Sequence, residues 1–109
     1  MAINQDIEVL PAGAALAATA TSTIDNLNCS RGKLLINVTA ADAGARFTPI
    51  VHVVDRTGGQ SEIQRGRPMY GPGQYDLNIR DLPRRFAIEF HQNNGSKSMT
   101  MNATLSMAA

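Results

Sequence analysis

Tryptophan is absent from this 109-residue chain, and only two tyrosines and three phenylalanines stand in its place. Aromatic rings bury the most area per residue, so a core without many of them leans on Val, Ile, Leu, Met and Ala. A chain of this length buries roughly 65% of its unfolded surface. It reads as one domain with a thin core, which favours added burial at an oligomer interface. Cys29 is the only cysteine, which excludes an internal disulfide. It reads as a small buried hydrophobe. Net charge is scarce as well, at +1 from ten basic and nine acidic residues. That balance lacks the electrostatic footprint of a nucleic-acid or anionic-membrane partner, and neither is expected. No run approaches the roughly 20 apolar residues of a membrane helix. The opening "MAINQDIEVLPAGAALAATATSTI" places Asp6 and Glu8 ahead of an Ala/Thr run, the reverse of a secretory signal. There is no phosphate-binding loop, nucleophile elbow, zinc-protease pair or dinucleotide fingerprint. The chain reads as non-enzymatic, with no cofactor and no metal.

What the sequence does have is alternation with a period of two. Phe86, Ile88 and Phe90 form one stripe in "FAIEFH", opposed by Ala87, Glu89 and His91. Met99, Met101, Ala103, Leu105 and Met107 form another, against Thr100, Asn102, Thr104 and Ser106. Tyr75, Leu77 and Ile79 alternate with Asp76 and Asn78, and Leu34, Ile36 and Val38 with Leu35, Asn37 and Thr39. "FTPIVHVVD" is apolar on both faces, which suits a central strand with Pro49 near its start. "AALAATATSTI" is open to a helix by its alanines, but its Thr run favours a strand. "NQDIEVL" reads as a short strand ended by Pro11 and Gly13. Turns fall at residues 40–46, 56–59, 65–73, 80–83 and 93–96. The last contains Asn-Gly, a strong hairpin signal, so residues 84–107 read as strand, turn, strand. The expected fold is all-β: a single-domain antiparallel β-sandwich, jelly-roll-like, of six to eight strands. Residues 1–24 would supply an N-terminal arm and first strand, and residues 25–109 the sandwich.

Candidate chemistry is sparse. Gly58-Gly59-Gln60 matches the tripeptide of translation release factors, yet a Gly-Gly pair after Asp55-Arg56-Thr57 is also what a tight turn needs. His52 and His91 lie in separate apolar-rich strands without a third ligand at a recognisable spacing, so structural histidines are expected. Arg65, Arg67, Arg84 and Arg85 cluster near two turns. They lack the interleaved aromatics of a single-strand-binding surface, and loop solubility or ion pairs with a neighbouring subunit account for them. Arg is enriched at interfaces, and methionine packs adaptably there. Arg65, Arg67, Met69 and Tyr70 in the loop "RGRPMYGPG" are therefore candidate partner contacts.

Three stretches taken together resemble a set of small tailed-phage virion proteins: "RGKLLINVTAADAG", "VHVVDRTGG" and "GQYDLNIRDLPRRFAIEFHQNNGSKSMTMNATLSM". The matching positions are Val38-Thr39-Ala40, Asp55, Gly73-Gln74-Tyr75, Leu82-Pro83-Arg84 and His91, over residues 31–107. Phe86 stands where the set often carries Trp. The resemblance implies a structural β-sandwich of the virion. The leading expectation is a capsid decoration, or cement, protein that binds the outer shell as a homo-oligomer, with a trimer favoured. Its partner would be the major capsid protein or another virion protein, and its place the outer surface of the capsid after synthesis in the host cytoplasm. A tail-tube, adaptor or fibre-base component, or a ligand-binding module, remain the alternatives. In the leading expectation an arm over residues 1–18, with Ile3, Ile7 and Val9 as contacts, adds a strand to the shell or a neighbouring subunit.

Overall fold

Each apolar stripe becomes the inward face of a strand in the computed structural model, which describes residues 4–25, 29–93 and 97–108. The eight strands are β1 (Asn4–Leu16), β2 (Ala20–Asp25), β3 (Arg31–Ala41), β4 (Phe47–Val54), β5 (Gln60–Arg65), β6 (Gly73–Ile79), β7 (Arg85–Gln92) and β8 (Met99–Ala108). They form two four-stranded sheets of order β1-β8-β3-β6 and β2-β7-β4-β5. All pairings are antiparallel. Among the described residues no helix occurs, and the Ala/Thr segment divides between the end of β1 and β2.

The topology follows from one nested set of pairings. β4 turns back on β5, β3 lies beside β6, β2 beside β7 and β1 beside β8. This is a single long antiparallel ribbon folded at the β4–β5 turn. Rolling the ribbon up brings β3 against β8 and β4 against β7. The result is a jelly roll. Every connection except β4–β5 therefore crosses from one sheet to the other.

That topology corrects the sequence reading of the C-terminus. β7 and β8 are not a hairpin: β7 pairs with β2 and β4, while β8 pairs with β1 and β3. Their stripes meet across the core instead of lying side by side. Alternation tells which face of a strand is apolar and not which neighbour it bonds. Of the Asn-Gly turn, residues 94 and 95 lie outside the described residues. The β4–β5 connection is the hairpin, and there the Gly-Gly pair serves the turn. Gly58 has φ +88°, and a Cβ on Gly59 would stand 2.7 Å from the Asp55 carboxylate.

Between the sheets, β3 and β8 contribute Leu34, Ile36, Val38, Met99, Met101, Ala103, Leu105 and Met107, all buried. β4 and β7 contribute Phe47, Val51, Phe86, Ile88 and Phe90. All three phenylalanines are thus fully buried, so the scarce rings are concentrated in the core. Cys29 is buried there too. β4 is an inner strand, as its two apolar faces suggest, and Pro49 offers its carbonyl to the Gly66 amide.

Residues 4–16 do not form a free arm. They are an edge strand on β8, from Asn4 opposite Ala108 to Leu16 opposite Met99. β1 also runs on past Pro11 and Gly13. The ladder slips between Glu8 and Leu10 and again between Leu10 and Ala14. The Pro11-to-Gly13 stretch is absorbed as a bulge, with Gly13 at φ +80°. On an edge strand a bulge and a proline are tolerated because one side of the backbone needs no partner.

Candidate interaction surface

The predicted contact residues do not share one surface. Met69 is fully buried: its amide and carbonyl bond those of Phe47 at 2.7 and 3.1 Å, and its side chain joins the core. It is a packing residue, because this backbone bridge turns it inward. Val9 is buried and Ile7 half-buried against the same core, so β1 uses them internally. Ile3 lies outside the described residues. Tyr70 is 61% exposed, and the Arg46 guanidinium sits 5.8 Å from its ring centroid. Arg67 is exposed. Arg65 forms a two-pronged pair with Glu62 at 2.8 and 3.2 Å. That bond holds the Glu62 carboxyl below its ordinary range and the guanidinium above its own.

The two histidines are brought together. On the outer face of the β2-β7-β4-β5 sheet, His52 Nε2 donates to Glu89 Oε1 at 2.7 Å, and His91 Nδ1 donates to Glu89 Oε2 at 3.0 Å. One carboxylate accepts from one nitrogen of each ring, which sets the protonated nitrogen of each. The His52 and Glu89 side chains are only 14% and 19% exposed. Ile50, beside Glu89 in the ladder, lies almost fully covered on this same outer face. Thr48, opposite His91, donates to Asn93 at 2.7 Å. Among the described residues no cluster of His, Cys, Asp and Glu has the arrangement of a metal site.

Arg84 and Arg85 belong elsewhere. With Arg56 they line an open cleft of about 840 Å³ at one end of the same sheet, together with Asp25, Val53, Val54, Asp55 and Pro83. Two anchored turns build it. In the β4–β5 turn, Asp55 Oδ1 accepts the Thr57 hydroxyl at 2.7 Å, the Gly59 amide at 2.8 Å and the Thr57 amide at 2.9 Å. The Thr57 hydroxyl above all, then the Gly59 and Thr57 amides, hold the Asp55 carboxyl below the ordinary carboxylate range. In the corner before β7, Asp81 takes φ 54°, and the Leu82 amide bonds the Ser30 carbonyl at 2.8 Å while its side chain is buried. Arg85 pairs with Asp25 at 3.2 Å. Sequence reading grouped Arg84 and Arg85 with Arg65 and Arg67, and missed Arg56. The signal was present in the turn "DRTGG", whose Asp caps the loop and leaves the next residue at its tip.

The opposite sheet presents a different surface. Its outer face carries Asn37, Gln74, Asn102 and Thr104 around Leu35, which is 47% exposed. Around Leu35 it is hydroxyl- and amide-rich, with Lys33 and Asp76 paired at 3.5 Å nearby and exposed Asp6 and Glu8 on the adjoining β1.

No family model matches the chain, and no curated protein matches its sequence. Solved structures do share its fold. All of this chain superposes on 32% of a chain in the structure of infectious bursal disease virus, Gx strain, with TM-score 0.54 and 11% identity. It also superposes over 98% of its length on 12% of dimeric latent PorU from Porphyromonas gingivalis, with TM-score 0.52 and 11% identity. The chain thus spans about a third of the virus chain and about an eighth of PorU, and the roll recurs as one part of larger proteins.

Proposed function

We propose that this chain is a non-enzymatic structural protein of a tailed-phage virion, a decoration protein that binds the outside of the assembled shell and stabilises it. The observation that supports this reading most is the roll itself, which aligns over its full length with part of a chain from a virus structure. The order of the three sequence stretches points the same way. The physical logic is one of many small contacts. A dry core braces two polar sheet faces and loops that carry Tyr70, Arg56 and Arg84 outward. Weak contacts of that kind, repeated around a symmetric shell and shared within a homotrimer, add through effective concentration. The major capsid protein is the partner in this reading.

Electron microscopy of particles assembled with and without the chain tests it. The expected result is additional density on the outer shell, and shells that melt at a higher temperature when the protein is bound. Density confined to the tail would overturn the assignment.

A further inference from the structure

We propose that the arginine cleft is a binding site for an extended acidic segment of a partner protein. The cleft holds three arginines and two aspartates, and the aspartates are already committed. Asp55 accepts three bonds from its own turn, and Asp25 faces Arg85. Arg56 and Arg84 are left without an ion pair or hydrogen bond among the described residues. Each is carried by a backbone fixed by other groups: Arg56 by the Asp55 turn, and Arg84 by the corner pinned through Leu82 and Ser30. Ordering them costs a ligand less than ordering arginines on loose loops. The same cleft has an apolar lining of Val53, Val54 and Pro83.

Two unpaired cations and an apolar lining in one cleft complement a strand-like peptide that alternates carboxylates with aliphatic side chains. Guanidinium groups bind carboxylates with directional, charge-assisted bonds. A nucleic-acid strand fits less well. No ring stands among the described residues that line the cleft, so nothing there stacks its bases.

The test uses the full chain and fluorescence polarisation of a fluorescein-labelled peptide of alternating Glu and Val. A Lys/Val peptide and a labelled oligothymidylate serve as comparisons. The Glu/Val peptide is expected to bind, more weakly as salt rises. Arg56→Ala and Arg84→Ala should each reduce affinity about tenfold, the scale of one charge-assisted hydrogen bond. Arg67→Ala, outside the cleft, should change nothing. An unchanged unfolding midpoint for each variant shows that the fold survives. Absence of binding, equal binding of the Lys/Val peptide, or indifference to both cleft substitutions would overturn the proposal. So would tighter binding of the oligothymidylate, or displacement of the peptide by inorganic phosphate at equal concentration. No particle enters the experiment, so its outcome is independent of whether the chain decorates a shell.

Discussion

Asp55 shows how much one side chain can determine. Its single Oδ1 gathers three donors across five residues, and the turn closes around it. Because folding lowers its pKa, the carboxylate contributes stability above the ordinary carboxylate range. That contribution is lost as pH falls through the depressed folded value. Asp55→Asn is therefore expected to lower the urea midpoint at neutral pH and to flatten the acid limb of a stability-against-pH curve. Met69 and Tyr70 make a second comparison, adjacent in sequence and opposite in fate. Met69→Ala should cost about 2–5 kcal/mol in urea denaturation, as for a buried methionine, whereas Tyr70→Ala should stay within about 0.5 kcal/mol. Neither fate was legible beforehand. A lone apolar residue among glycines and prolines has no neighbours from which a period can be read, and the bridge to Phe47 that turns Met69 inward is 22 positions away in the chain.

Strands were the legible elements, and their partners were not. The stripes of β3, β6, β7 and β8 point inward as their alternation implies. Phe90→Ala in β7 should accordingly cost about 3–5 kcal/mol. Pairing depends on long-range closure, which alternation does not encode, and so β7 and β8 were misread as neighbours. The bulge in β5 is another feature that only the ladder reveals. His52 faces Glu62 and Val51 faces Gln64, which leaves Ile63 unmatched and 45% exposed on an edge strand. Such irregularity discourages a second chain from adding to the edge. Deleting Ile63 should give a folded protein with a regular edge, and sedimentation velocity should then show concentration-dependent association into species larger than the parent forms at the same concentration. The arginine cleft was half legible: the turn residues announced both loops, but only the roll brings "DRTGG" and "RDLPRR" to the same end of one sheet.

At the scale of the molecule, the nested pairing makes nearly every strand contact distant in sequence. Loop closure must precede the reward of those contacts, so folding is expected on the millisecond-to-second scale of all-β domains. Stopped-flow refolding checks this, and a microsecond phase carrying the full amplitude would contradict it. β8 is central to that closure, because it lies between β1 and β3 while the Ser30 amide bonds its Ala108 carbonyl.

The pairing of Asn4 with Ala108 has a practical corollary. Ser30 links Ala108 to Leu82, so the end of β8, with Asn4 paired to it, is tied to the corner that leads into Pro83 and Arg84 of the cleft. Loosening that one corner would therefore release the last residues of the closing strand and the backbone that carries Arg84 together.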